Sequence, residues 1–537
     1  MSPPLRTLLE IVVDGAAVRA EPVLTFVEVK HDGSLAEERR SYAELLDNGC
    51  RIAGALEAAG MAAGDAFAIV MRNHPEFVDA MIGSEVAGTV FVPIDPRTRG
   101  DKLAYMLRFA RCRGAIVSPE VVENLRPLLA DLPDLEWVWV IGVGGADGRF
   151  ESFADVVRAS PPATAMTPRR LADPMQLLFT SGTTGDPKAI VASHARFAGV
   201  AALGPMFGLR PDDRLYTGLS LTHANAQFIT LSSALAMQVP LVISRQFTKS
   251  LLWEIVTRYN CTTFNLLGGM ATAIFAEPPG PLDRAHRVRF VLSAGMPAAM
   301  WRPFEERFGT RIFEFFGTAE GGLTLNPPAA GPVGSIGRAE PGLVCEILLP
   351  DDSIARAGTL GEICFRNADG SVTPVTYFGN EQASAVKTRN GWFRSGDIGW
   401  KDAAGWLFFS HRAGQSIRRN GDFIDAREVE AAIANIPGVL DAYVYGVATA
   451  SNTPGEKQVV AALVVSPGLV EPREIFADCA SKLGSTGVPN FVQMVAEIPK
   501  TASEKPQDRH LIAMLNEGRC QLFDRNGPAE LTFAHEA

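Results

Sequence analysis

The chain has 537 residues, is 47% hydrophobic and 20% charged, and carries a formal net charge of −10. That length exceeds what one compact core holds, so two or more domains are expected. The charged share excludes general disorder, and the acidic balance excludes the basic footprint of a nucleic-acid binder.

The opening "MSPPLRTLLEIVVDGAAVRAEP" has no long apolar core followed by a small-residue cleavage site, and no run of about 18 apolar residues marks a membrane span, so a cytoplasmic protein is expected. "AFAIVM" reads as a buried strand, "PEFVDAMIGSEVAG" as a helix and "TVFVPID" as a strand again. The pattern repeats in "DKLAYMLRFARC" and "GAIVS". It resumes in "PLVIS", "SLLWEIVTRY", "TTFNLL", "VRFVLSAG" and "RIFEFFG". Short apolar strands separated by amphipathic helices imply layered α/β structure with largely parallel sheets, whose ligands bind beyond the carboxyl ends of the strands. From about Ser335 the texture changes. "CEILLPD", "GEICFRN" and "GWLFFSHR" are short strands with glycine turns, as in a small antiparallel sheet or barrel. After a boundary near His411–Gln415, the helix "DAREVEAAIANIPGV" and the strands "DAYVYGVA" and "QVVAALVV" look like a separate α+β unit. The seven cysteines are odd in number and include no CxxC, which points to reduced buried thiols rather than a disulfide scaffold or a zinc site.

One polar stretch follows the apolar strand "MQLLF": "FTSGTTGDPKA", Phe179–Ala189. Gly182 and Gly185 let the backbone approach an anion. The hydroxyls of Thr180, Ser181, Thr183 and Thr184 are phosphate donors, and Lys188 adds a positive charge. The stretch is not the GxxxxGK[ST] loop, so ordinary P-loop chemistry is not implied. By composition alone it is equally a Ser/Thr/Gly linker.

"TSGTTGDPK" resembles the phosphate-loop signature of the adenylate-forming superfamily, which includes acyl- and aryl-CoA synthetases, peptide-synthetase adenylation domains and luciferases. "GLSLTHANAQ", "FFGTAEGG", "GEICFR", "GWFRSGDIG", "HRAGQSIRRNGDFIDAREVE" and "IPKTASEK" follow in the family's order, so the resemblance covers roughly residues 20–515. It implies a large N-terminal domain of two α/β subdomains plus a small β-barrel, residues 1–411. A small mobile α+β lid, residues 412–537, completes the fold.

The implied reaction has two steps. A carboxylate and ATP give acyl-AMP and pyrophosphate; coenzyme A then displaces AMP. The resemblance assigns the β- and γ-phosphates to Thr180–Thr184 and Lys188. Adenine goes to Phe316, with Gly295, Gly317 and Thr318 beside the nucleotide. Magnesium goes to Glu320, and the ribose hydroxyls go to Asp397 with Arg412 behind it. Lys505 reaches the reacting oxygens from the lid, and Gly421 lines the pantetheine tunnel. His223 stands over the acyl pocket with Asn225, Gly268 and Gly269. Taken singly, Asp397 reads as a turn residue, Glu320 as a helix-start acid, Lys505 as a solvated lysine and His223 as a loop histidine.

Besides Phe316, where Tyr is usual, three positions depart from the family pattern: Ala319 where Thr is usual, Gly414 in place of a charged hinge, and Glu504 before the lysine. They raise the alternative of an enzyme that thioesterifies a supplied acyl-AMP but adenylates poorly. A stand-alone adenylation enzyme serving a carrier protein in trans and a nucleotide-binding pseudoenzyme are further alternatives. The sequence does not set the oligomeric state, and a homodimer stays open. "LTHANAQFITLSSALAM" and "NLLGGMATAIF" are small and apolar and hold no Arg or Lys, which favours a medium or bulky hydrophobic monocarboxylic acid. His223, Asn225, Gln227 and Asn265 are available to an oxygenated ring or chain.

Overall fold

The computed structural model describes residues 4–142, 149–164, 166, 169–180, 187–412, 417–419, 422–424, 426–449, 457–483, 487–501 and 506–531. Among them the strands build two large sheets, a small antiparallel sheet and the sheet of a C-terminal unit. The first large sheet runs, edge to edge, Phe150–Ser152, Trp137–Val140, Cys112–Val117, Ala66–Val70, Val90–Ile94, Pro174–Thr180 and Lys188–Ser193. All its pairings are parallel except the last. Strands Ala66–Val70 and Val90–Ile94 are buried along their whole length. Helices cover both faces of such strands, and this is why they read as unbroken apolar runs.

The second sheet is centred on the parallel strands Phe290–Ala294, Thr263–Leu267, Leu215–Thr217 and Leu241–Ser244. One edge is the N-terminal hairpin Leu24–Val29/Leu35–Arg40, which joins it by parallel pairing to Leu241–Ser244. The other edge is Arg311–Gly317 followed by two short antiparallel strands. A single apolar cluster runs from Leu8 to Leu407 and welds both sheets together, with helices Tyr42–Ala58 and Pro75–Ala87 between them.

The small sheet, a half-barrel, orders Leu343–Leu348, Gly361–Asn367 and Trp392–Lys401, with Leu407–Arg412 on the far side of the last. The C-terminal unit has its own cores on the two faces of the sheet that begins Val439–Val447 and Gln458–Val465. Among the described residues no helix is long and apolar enough to cross a membrane. The cysteines are free; five of the seven are buried, and Cys50 and Cys520 lie partly at the surface.

Candidate active site

A cavity of about 2230 Å³ opens where the strand ends of the two large sheets, the small sheet and the C-terminal unit meet. Of the residues expected at the nucleotide, Thr180, Gly295, Phe316, Gly317, Thr318, Glu320, Asp397 and Arg412 line it. Along Arg311–Gly317, Phe313 and Phe315 pack their rings against Phe207, and Glu314, Phe315 and Phe316 line the cavity. The Phe316 ring lies 6.3 Å from Phe365, nearly parallel to it, and 6.2 Å from Phe409, and all three rings line the wall.

The next residues form a tight turn. The amides of Thr318 and Gly321 each donate to the other's carbonyl at 3.2 Å, and the Thr318 hydroxyl donates to the Gly321 carbonyl at 2.9 Å. Glu320 sits in this turn, and the Tyr377 hydroxyl donates to its carboxylate at 2.8 Å. Burial pushes the Glu320 carboxyl upward, but the charge of Lys387, the Tyr377 hydroxyl and the charge of Arg412 outweigh it and hold the group below its ordinary value. Glu320 is thus a cavity-lining anion.

Asp397 and Arg412 face each other across the Trp392–Lys401/Leu407–Arg412 ladder, next to a shift in register that brings Ile398 opposite His411 but Gly399 opposite Phe409. Arg412 Nε lies 3.5 Å from Asp397 Oδ1. The Asp397 amide donates to the Ser395 hydroxyl, which donates in turn to the Ile363 carbonyl, so the backbone at this point is fixed independently of the carboxylate.

The acyl-side residues also gather. His223, Asn225, Gly268 and Gly269 line the cavity. Gly268 and Gly295 belong together: a Cβ on Gly268 would stand 2.1 Å from the Gly295 carbonyl oxygen, and Gly295 itself has φ of +94°. This close backbone approach admits only glycine at 268. Two expectations fail. Gln227 is fully buried, held by the Gln176 amide and the Leu221 carbonyl, and Asn265 donates to Asn225 at 2.6 Å from a buried strand. Neither lines the cavity. Gln227 is consumed in seating the segment that carries His223, and Asn265 gives its amide to Asn225, so of that set only His223 and Asn225 line the cavity.

Residues 18–374 match the family described as AMP-binding enzyme, and residues 428–505 match the AMP-binding enzyme C-terminal domain. A medium/long-chain fatty-acid–CoA ligase, FadD17 of Mycobacterium marinum, is 30% identical over 482 residues, covering 88% of this chain and 91% of the relative. This chain belongs to the AMP-binding enzyme family. It is an adenylate-forming enzyme of the acyl-CoA synthetase type. A crotonobetaine/carnitine–CoA ligase of Salmonella choleraesuis is 28% identical over 476 residues, 87% of this chain and 91% of that one. The crystal structure of the anthranilate CoA ligase AuaEII with anthranoyl-AMP superposes with a TM-score of 0.85 at 23% identity, covering 96% of this chain and 99% of that one.

Several residues assigned to this AMP-binding enzyme from its motifs lie outside the described residues: Ser181, Gly182, Thr183, Thr184, Gly185, Gly414, Gly421, Glu504 and Lys505. Their flanks are placed. Thr180 pairs with Lys188 across the two strands that flank residues 181–186, and Lys188 Nζ stands 5.7 Å from the centroid of the Tyr377 ring. Thr180 and Pro187 line the cavity. On the C-terminal unit, Thr501 and Pro506 line it too, and Arg427 stacks 4.2 Å over the Phe409 ring. In the hairpin Ile417–Arg419/Asp422–Ile424, Arg419 donates to the Val488 carbonyl at 2.7 Å.

Tyr377, Arg196 and Glu314 escaped sequence reasoning. No motif carries Tyr377, whose segment is placed by an antiparallel bridge to Ile190 on the edge strand Lys188–Ser193 of the first large sheet. Tyr377→Phe removes the hydrogen bond that orients this carboxylate. If Glu320 holds magnesium, the magnesium concentration that half-saturates pyrophosphate release should rise about 10- to 100-fold at saturating ATP.

Glu314 is buried, and burial pushes its carboxyl up to about 8, although the amides of Gly295 and Met296 and Ser293 pull the other way. The unfolded chain titrates this group near 4.5. The folded state therefore holds the proton more tightly, and the group's contribution is full below pH 4.5, falls as pH rises toward about 8, and is flat above. Glu314→Gln keeps an acceptor for both amides and has no proton to lose. Compared with this variant by urea unfolding, the natural enzyme should lose stability across that window with a slope approaching about 1.4 kcal/mol per pH unit.

Proposed function

We propose that this enzyme activates a medium or bulky hydrophobic carboxylic acid as its acyl-AMP and passes the acyl group to coenzyme A. One observation carries the reading. A single cavity has a phenylalanine shelf, Glu320 and the Asp397–Arg412 pair on one part of its wall, and Gly268, Gly269, His223, Leu203, Phe228 and Met300 on another. The first set suits a nucleotide. The second gives mainly apolar surface to an acyl chain or ring. The fatty-acid, crotonobetaine and anthranilate ligases among its relatives support the class of reaction.

In the first step a carboxylate oxygen bonds to the α-phosphorus, and the bond to the bridging oxygen breaks with its electron pair leaving on pyrophosphate. Two anions must meet, so the residues have to supply positive charge and fixed donors. We assign Thr180–Thr184 and Lys188 to the outer phosphates, Phe316 to adenine, Asp397 to the ribose and Lys505 to the reacting oxygens. Glu320 fits magnesium: one ionised carboxylate suits a cation that keeps its waters and phosphate oxygens. Among the described residues no group of three His, Cys, Asp or Glu side chains forms a cage for an ion. Magnesium would supply charge neutralisation at the phosphates. In the second step the coenzyme A sulfur bonds to the acyl carbon, AMP leaves with the C–O electron pair, and the thiol proton passes to solvent.

Thr501 and Pro506, the described flanks of the Lys505 segment, line the cavity, whereas Ile417, Arg419 and Ile424 of the hairpin that carries Gly421 are not among its lining residues. We take this arrangement as the one for the first step, with a lid beginning at Arg412 that turns for the second. A second reading rests on Ala319, which puts a methyl group and no hydroxyl on the wall beside Glu320. It has the enzyme thioesterify a supplied acyl-AMP and adenylate poorly.

The deciding experiment pairs pyrophosphate release, from ATP, magnesium and a panel of hydrophobic acids, with thioester formation from synthetic acyl-AMPs and coenzyme A. Turnover of one acid in both assays is the expected result. Turnover of acyl-AMP alone establishes the second reading. Thioester formed on coenzyme A with no protein added rules out a requirement for a carrier.

A further inference from the structure

Arg196 lies on helix His194–Ala201, which follows the strand that begins at Lys188, and its side chain forms part of the cavity wall. Nη2 donates to the Thr318 carbonyl at 3.0 Å, so the guanidinium braces the turn that holds Glu320. Nε is buried and makes no hydrogen bond. Other arginines of this chain close on carboxylates, such as Arg40 on Asp79 at 3.1 Å, Arg289 on Asp213 at 2.5 Å and Arg307 on Asp283 at 2.8 Å. Arg196 does not. Glu320 acts on it through its charge, yet among the described residues no carboxylate forms an ion pair with it, and the Glu320 carboxylate is engaged by Tyr377. A buried guanidinium Nε with its bond unmade is costly unless something completes it. Its position on the wall of a cavity that must hold a carboxylate beside a phosphate identifies the missing group as an oxyanion.

We propose that Arg196 is a substrate-contacting cation of the first step, taking an oxyanion of the reactants beside the Thr318–Gly321 turn. The inference rests on the ligase reading above. It also completes the account of the acyl side, whose own segments hold no cation: the positive charge enters the cavity from a different helix. The oxyanion has two sources, the carboxylate of the entering acid and the phosphate of the nucleotide.

Full-length enzyme is compared with Arg196→Gln, whose amide still donates to the Thr318 carbonyl but carries no charge, and Arg196→Lys, which keeps the charge. The readouts are AMP affinity by calorimetry, KM for the acid and kcat in acid-dependent ATP–pyrophosphate exchange, thioester formation from supplied acyl-AMP, and melting temperature. Arg196→Gln is expected to lower exchange about 10- to 100-fold with an unchanged melting temperature, and Arg196→Lys to recover part of it. A matching loss of AMP affinity identifies the phosphate as the oxyanion. Unchanged AMP affinity with a raised KM for the acid identifies the carboxylate. Natural affinity, KM and exchange in Arg196→Gln overturn the inference. So does a loss in both variants that tracks a fall in melting temperature, which would make Arg196 a brace for the turn and nothing more. If the natural enzyme runs neither half-reaction on any acid, the ligase reading fails, and an unchanged AMP affinity in Arg196→Gln then overturns this inference as well.

Discussion

Lys505→Ala is expected to slow acid-dependent pyrophosphate release by about 10²- to 10³-fold while leaving thioester formation from supplied acyl-AMP within a few-fold of the natural rate. The magnitude is that of removing one fixed donor from a site where charge develops in the transition state. The asymmetry follows from where charge is concentrated in each step. The first step joins a carboxylate to a polyphosphate, and a cation aimed at the joining oxygens acts only while that bond forms. The second begins from an acyl phosphate that has already lost pyrophosphate, and its nucleophile is a thiol. Thr501 and Pro506, the described residues on either side of the segment that carries Lys505, line the cavity. Lys500 is already committed to Asp441, at 2.5 Å, and is no substitute. Equal losses in the two assays would show that Lys505 serves both arrangements of the lid, and equal rates in the variant and the natural enzyme would remove it from the chemistry altogether.

The α/β core was legible in the sequence because parallel strands buried on both faces leave unbroken apolar runs, as at Ala66–Val70 and Val90–Ile94, with amphipathic helices between them. The N-terminal hairpin was not. Leu24–Val29 completes the second sheet by pairing with Leu241–Ser244, and no local pattern announces a partner so distant in the chain. The same distinction divides the site. Phe316, Glu320, Asp397 and Arg412 each lie in a short motif that the family resemblance picks out, though singly Asp397 reads as a turn residue and Glu320 as a helix-start acid, and the fold brings them to one cavity. Tyr377 reaches Glu320, and Arg196 reaches Thr318, across tertiary contacts between elements far apart in sequence. Gln227 and Asn265 misled for the complementary reason. A polar side chain in an apolar segment looks available to a ligand until the fold supplies its internal partners, here Gln176, the Leu221 carbonyl and Asn225.

Asp397→Ala should weaken AMP binding about 100-fold and abolish discrimination against deoxyribose. The buried carboxylate sits opposite Arg412, with Lys387 acting on it through charge. The Ser395 hydroxyl secures its backbone, so truncation alters the charge and little of the strand. Two ribose hydroxyls donating to one carboxylate are charge-assisted bonds, each of about 1.5–3 kcal/mol. Their loss is partly offset, because Arg412 is freed from Asp397 and adds attraction for the phosphates. Affinity alone therefore understates the contact, and the sugar itself has to be varied. In the natural enzyme, ATP should outcompete 2′-deoxy-ATP and 3′-deoxy-ATP in pyrophosphate exchange, each missing hydroxyl costing about tenfold or more. In Asp397→Ala the three nucleotides should perform alike, because the group that distinguished them is gone, and the difference of differences isolates the pairwise contact. Asp397→Asn, which keeps an acceptor without the charge, should fall between. A preference for ribose that survives in Asp397→Ala would place the sugar elsewhere and leave the Asp397–Arg412 pair as a brace for the two strands that carry it.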